Sequence, residues 1–260
     1  MPPAKRKPKL GQHFLEDQQV LEGIAGALRL RSGETVIEIG PGQGALTSRL
    51  LDAGAAVTAI EVDPRLVQIL RKRYEESAAL EVLHADILDL DLGQVIAERA
   101  GGRVAVAGNL PYYITSPILR KVFAAAPRIS RCVFLIQKEV ALRLVARAVS
   151  RDYGYLTALS RLYCEPELLF TVPASAFRPP PEVTSAVVRL TISEADPPEA
   201  SLLEFLKACF AHPRKTLLNN LSGRHKRSLL AALPEMARRA QELGLDELQA
   251  LHGRLRAMPR

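Results

Sequence analysis

Asn109-Leu110-Pro111-Tyr112-Tyr113 sets an amide, a stiff turn and two phenol rings side by side, just past the apolar run Val104-Ala105-Val106-Ala107. Such a run reads as a buried strand, so the quintet falls at a strand's carboxyl end. The exocyclic amine of a nucleobase is a group these residues could handle. Its two hydrogens need two acceptors, and the Asn109 side-chain oxygen and the Leu110 backbone carbonyl can supply them. Its ring needs a face to stack on, which Tyr112 offers. Pro111 fixes its own φ and biases Leu110 away from helix, so that carbonyl points in a defined direction. The same residues also fit an ordinary Asn/Pro turn between strand and helix. Tyr113 is expected to pack.

A second constellation is Glu38-Ile39-Gly40-Pro41-Gly42-Gln43-Gly44-Ala45-Leu46, between a predicted strand and helix. Its glycines allow a tight turn and close approach of a ligand, and the helix amino terminus offers unpaired N–H groups. Gly40, Gly42 and Ala45 also satisfy the dinucleotide pattern GxGxxG/A, so a nicotinamide cofactor fits this loop as well. Glu61 ends the next strand, where an acid commonly grips ribose hydroxyls of either cofactor class. Asp63, before Pro64, reads as a helix cap. Asp86, after the strand ending at His84, can accept from an adenine amino group; on its own it also reads as a loop acid or a helix cap. Asp86 and Asn109 together favour S-adenosylmethionine. Glu38 has two readings: a pocket acid beside the cofactor's amino group, or a carboxylate holding the glycine loop through backbone N–H groups.

The elements that must position these residues alternate along the chain. Strands are expected at Thr35–Gly40, Ala56–Val62, Leu80–His84, Val104–Ala107 and Arg131–Ile136. Helices are expected at Gly44–Asp52, from Pro64 to about Glu76, from a Thr115-Ser116-Pro117 cap to about Ala126, and from Lys138 to about Val149. This alternation is the signature of a parallel sheet covered on both faces. Glu167–Val172 and Thr184–Ile192, joined by the proline-rich 173–181, predict an antiparallel pair closing the sheet. Asp17–Leu30 reads as a preceding amphipathic helix with Val20, Leu21, Ile24 and Leu28 on one face. The fold class is therefore α/β, Rossmann-like, with an antiparallel edge strand. After the linker Glu194–Pro198 only helical patterns appear, near 201–211, 215–221, 226–233 and 247–256. The predicted organisation is a basic amino-terminal segment (1–16), a Rossmann-like domain (17–194) and a small all-helical domain (199–260).

Charge follows the same division. The net charge is +7, yet residues 14–199 carry twenty bases against twenty-three acids. Residues 1–13 carry four bases and no acid, and residues 200–260 carry eleven bases against five acids. A polyanion touching both ends would gain counterion release; a solvated surface charge is the plainer reading. Arg214, Lys215, Arg224, Lys226 and Arg227 are the candidate phosphate contacts. The tail Lys5–Lys9 is expected to order only on binding. No apolar run approaches the ~18–20 residues that span a bilayer, and the basic amino terminus is no secretory signal. Cys132, Cys164 and Cys209, odd in number and scattered, read as buried thiols of a cytoplasmic protein. His84, His212, His225 and His252 show no ligand spacing, so no metal site is expected. Without heptads, a monomer is expected.

Five segments together resemble the bacterial small-subunit ribosomal RNA adenine N6,N6-dimethyltransferase family (KsgA/RsmA). They are Gly11–Leu15, Glu38–Gly44, Asn109–Tyr112, Phe177–Ser185 and Arg214–Leu221. The resemblance covers nearly the whole chain and implies S-adenosylmethionine as cofactor. It implies that His13 and Leu15 contact this cofactor, with Gly40 beneath its methionine part. Glu61 would hold its ribose, Asp86 its adenine, and Asn109 would lie between cofactor and target. It implies Tyr112 stacking on the target adenine and Phe177 covering the opposite face; on its own, Phe177 reads as a loop anchor under the prolines. The implied substrate is a pair of adjacent adenosines in a hairpin loop near the 3′ end of small-subunit RNA, met during subunit assembly. Departures are His13 where Asn is frequent, and Glu182 and Thr184 where Lys and Asp are. Three rival readings are the large-subunit RNA dimethyltransferase of macrolide resistance, an NAD-dependent oxidoreductase, and a non-catalytic RNA-binding assembly factor.

Overall fold

Val36, Ile37, Val104, Ala105, Val106 and Val133 have no exposed surface, and strands this apolar on both faces need a covered sheet. The computed structural model, which describes residues 13–224 and 227–257, supplies one. β1 (Phe14–Leu15) and α1 (Gln18–Ala27) precede a regular alternation of β2 (Thr35–Ile39), α2 (Ala45–Asp52), β3 (Ala56–Glu61), α3 (Pro64–Arg73), β4 (Leu80–His84), α4 (Leu92–Arg99) and β5 (Val104–Asn109). Next come α5 (Thr115–Ala124), β6 (Ile129–Gln137), α6 (Lys138–Val145), α7 (Tyr155–Tyr163), β7 (Cys164–Val172), β8 (Phe177–Arg178) and β9 (Ser185–Ile192). The main sheet has the order β4-β3-β2-β5-β6-β9-β7. It is parallel from β4 to β6, and β9 runs antiparallel to both β6 and β7. Strand order reverses between β2 and β5, the place where open α/β sheets bind ligands.

Helices α1 and α3 begin where expected. Asp17 accepts from the N–H groups of Gln19 and Val20, and Asp63 from that of Arg65. Leu21, Ile24 and Leu28 are buried on one face of the first. Thr115 does not cap α5; its hydroxyl donates back to the Pro111 carbonyl at 3.1 Å, tying the helix to the turn before it. Two helices escape the periodicity argument. α4 buries only Leu92, Val95 and Ile96, while α7 buries Thr157 and Ser160 among its apolar residues, which blurs the pattern. The helix from Lys138 stops at Val145, short of Val149.

Beyond β9 lie α8 (Ala200–Cys209), α9 (Leu217–Leu221), α10 (Arg227–Ala231) and α11 (Leu245–Ala257). Their core around Leu206, Leu217, Leu221 and Leu251 also takes in Ala146, Tyr153 and Ala158. The linker thus divides the sequence, while the apolar packing crosses it. Cys132, Cys164 and Cys209 are buried free thiols, and burial pushes the latter two up to about 12, too high for a reactive thiolate. Among the described residues no helix is long and apolar enough to cross a membrane. Lys5–Lys9, Gly11, Gln12, His225 and Lys226 lie outside the described residues.

Candidate active site

A cleft of about 700 Å³ opens at the carboxyl ends of β2, β3, β4 and β5, roofed by the segment that carries β1. Close packing of backbones builds its floor. A Cβ on Gly108 would stand 2.4 Å from the Ile39 carbonyl oxygen, so only glycine lets β5 lie this near β2 just before Asn109. Gly40 and Gly42 hold φ of +69° and +60°, which favours glycine, and a Cβ on Gly42 would press on the Phe14 ring at 3.2 Å.

The acids of the cleft divide their labour. Glu61, nearly fully buried, accepts from the N–H groups of Gly42 at 3.1 Å and of Val62 and Asp63 at 2.9 Å each. It holds the glycine loop, the task open to Glu38, and keeps about one acceptor position for a ligand. Glu38 accepts only the Thr47 hydroxyl, at 2.6 Å, and its other oxygen has no partner among the described residues. Burial pushes its carboxyl up to about 7, against the Thr47 hydrogen bond, with the charge of Glu61 adding to the rise. Asp86 spends one oxygen on the Leu88 N–H at 2.9 Å and lines the cleft; the next helix is capped by Asp91, so Asp86 is a loop acid and not a helix cap, which is compatible with accepting from a ligand. Two residues absent from the sequence argument fix the loop from behind: Arg73 donates to the Gln43 carbonyl at 3.2 Å and the Tyr74 hydroxyl to that of Gly44 at 3.2 Å.

Asn109 is the best-oriented group of the site. Its Nδ2 donates to the His13 carbonyl at 2.9 Å. A carbonyl can only accept, so this bond fixes which way the amide faces and leaves its oxygen unpaired. Leu110 donates its N–H to Leu135 at 3.0 Å, and its carbonyl takes no hydrogen bond from a described residue. The Tyr112 hydroxyl shares a 2.5 Å hydrogen bond with Ser185, and its ring stacks against His13 at 5.9 Å between centroids and 23° between planes. His13 in turn donates from Nδ1 to the Pro179 carbonyl at 2.7 Å. His13, Leu15, Gly40, Glu61, Asp86, Asn109, Leu110 and Tyr112 all line the cleft.

Phe177 does not. It is 2% exposed, paired with Leu15 across the β1–β8 ladder and packed in the core with Leu21, Val172 and Val187. In this arrangement it anchors its loop and offers no face to a base, contrary to the expected role. The reason is β1, whose pairing turns the ring inward. Tyr113 departs the other way: expected to pack, it is 62% exposed at the cleft rim. Arg178 is held by Glu16 at 3.0 Å on the surface. No cluster of three or more potential metal ligands occurs among the described residues.

A glycine cradle, a row of acids at strand ends and an oriented amide on a sheet of this order define a Rossmann-like methyltransferase. The chain belongs to the ribosomal RNA adenine dimethylase family, whose model matches residues 4–244. Proteins of this family methylate with S-adenosylmethionine. A relative from Myxococcus xanthus called ribosomal RNA small subunit methyltransferase A is 42% identical, over 95% of this chain and 90% of its own length. One of the same name from Acidobacterium capsulatum is 40% identical over equal shares. Among solved structures, a dimethyladenosine transferase from Plasmodium falciparum is similar with a TM-score of 0.77 and 27% identity, covering 92% of this chain and 96% of its own. The 23S rRNA methyltransferase ErmE is similar with a TM-score of 0.70 and 29% identity, covering 94% and 99%.

Proposed function

We propose that this protein dimethylates the exocyclic N6 of two adjacent adenosines in a hairpin loop near the 3′ end of small-subunit ribosomal RNA. It acts as a cytoplasmic monomer on the assembling subunit. The observation that carries this reading is the Asn109 amide, oriented by the His13 carbonyl so that its oxygen is free beside the free Leu110 carbonyl. The cleft suits S-adenosylmethionine because it offers a glycine cradle and, in Glu38, a buried carboxyl with an unpaired oxygen that a cationic ligand would ionise. Glu38 takes the amino end, Gly40 the backbone beneath it, Glu61 the ribose and Asp86 the adenine. When bound, this cofactor supplies an electrophilic methyl on a positively charged sulfur.

An adenine amine is a poor nucleophile because its lone pair is delocalised into the ring. Two acceptors, Asn109 Oδ1 and Leu110 O, take its two hydrogens and favour a pyramidal nitrogen whose lone pair is localised. Orientation and electrostatics do the work, so no strong base is needed. Tyr112 stacks on the flipped base, worth about 1–3 kcal/mol against the cost of unstacking. Ser185 fixes the Tyr112 ring through its hydroxyl. The first transfer would release the neutral thioether S-adenosylhomocysteine and leave a cationic nitrogen, acidic enough to give one of its hydrogens to solvent as a proton. One hydrogen then remains, and rotation about the C–N bond presents the lone pair again. Exposed Arg214, Lys215 and Arg227 on the helical domain (199–260) grip phosphates and set the register of the RNA.

The names of the relatives favour the small subunit, while the likeness to ErmE keeps protein-free large-subunit RNA as the alternative. Labelled methyl transfer to unmethylated small subunits and to protein-free large-subunit RNA, followed by nucleoside mass spectrometry, tests the choice. Dimethyladenosine in the small-subunit RNA alone is the expected result. Label in the large-subunit RNA alone overturns the substrate assignment.

A further inference from the structure

Of six tyrosines, Tyr113 alone is exposed, and it stands at the rim of the cleft. Its backbone is held rigidly. Pro111, at φ −58°, accepts the Ile114 N–H at 3.2 Å and the Thr115 hydroxyl at 3.1 Å, closing a tight turn around Tyr112–Ile114. The ring is thus projected from a fixed base, while its hydroxyl bonds to no described residue. Tyr112, its neighbour, is anchored by Ser185 and is committed to the target side.

Tyr113 lines the same cleft as Asp86 and Glu61, and both lie near enough for their charges to act on its phenol. Partial burial, followed by the negative charges of Asp86 and Glu61, raises its phenol, which therefore stays protonated. Two carboxylates repel an RNA backbone but tolerate a neutral purine, and Asp86 and Glu61 are the acids read above as the nucleoside's partners. An exposed aromatic face beside an acid able to accept from a purine amine is half of a base-binding slot.

We propose that Tyr113 is a cofactor-binding residue, closing over the adenosine end of S-adenosylmethionine by stacking its ring against the purine. The inference rests on the functional reading above, and the test separates the two. S-adenosylhomocysteine is titrated calorimetrically into wild type, Tyr113→Ala and Tyr113→Phe, and the KM for small-subunit RNA is measured for each. Stacking predicts that Tyr113→Ala weakens binding about five- to thirty-fold, that Tyr113→Phe stays within about twofold, and that the KM for RNA is unchanged. Nitration by tetranitromethane supplies a second readout: Tyr113 is modified in free protein and protected by saturating S-adenosylhomocysteine. Unchanged affinity for Tyr113→Ala, whether or not the KM for RNA rises, overturns the proposal. Wild type that fails to bind S-adenosylhomocysteine overturns the functional reading instead.

Discussion

The turns Asn109–Tyr113 and Ala176–Pro181 follow β5 and β7 at the same end of the sheet, and each brings an aromatic ring beside prolines. The first sends both its rings to the cleft; the second buries Phe177 at 2% exposure. What separates them is the partner each backbone finds. Asn109 closes the β5 ladder beside β6, and Leu110 still donates to Leu135, so the side chains beyond are free of pairing. Phe177 lies inside a ladder with β1, and pairing sets which side of a strand faces the core. An aromatic beside prolines is therefore not a stacking residue until its strand partners are known.

Phe177→Ala should break the second turn most severely. Losing a buried phenyl group costs about 3–5 kcal/mol of stability, seen as a lower denaturation midpoint. Phe177→Leu sharpens the comparison: it should keep most of the stability and retain methyl transfer. Normal stability with abolished transfer in Phe177→Leu would instead place the ring on the substrate. Gly108→Ala attacks the first turn from below. Its Cβ would sit 2.4 Å from a backbone oxygen, and separating β5 from β2 should cost about 3 kcal/mol in chemical denaturation and displace Asn109.

These two turns also mark where the sequence was legible. The strand ends bearing Glu61, Asp86 and Asn109 followed from apolar runs and local spacing, and so did the cap at Asp63. All of these are decided within a few residues. The inward turn of Phe177 depends on β1, more than 160 residues earlier along the chain (Leu15 to Phe177). Likewise the roles of Glu38 and Glu61 depended on which carboxylate reached Gly42, a distance no spacing encodes. Gly108 was the exception that could have been read, since a glycine inside a buried strand signals close backbone approach.

Glu38→Gln probes the cleft's charge. Because the folded carboxyl sits at about 7 rather than 4.5, its contribution to stability is complete below about pH 4.5 and is lost as pH rises through 7. Above pH 7 the buried carboxylate costs on the order of 3 kcal/mol. The Gln variant of the ligand-free protein should therefore gain thermal stability relative to wild type from pH 5 to pH 8. It should also bind S-adenosylhomocysteine more weakly. A stability difference that is flat across this range contradicts the assignment. Ser185→Ala should have the smallest effect: losing the hydrogen bond to Tyr112 is worth about 1 kcal/mol, or a roughly fivefold fall in kcat/KM for RNA, with cofactor affinity unchanged.

The account turns on the Asn109 oxygen, and Asn109→Ala tests it most directly. Nucleosides from unmethylated small subunits are quantified by mass spectrometry after incubation with S-adenosylmethionine and either wild type or the variant. The prediction is dimethyladenosine with wild type and a rate lower by about 10²–10³-fold with Asn109→Ala, while both bind S-adenosylhomocysteine with similar affinity. Dimethylation by the variant at the wild-type rate would contradict it.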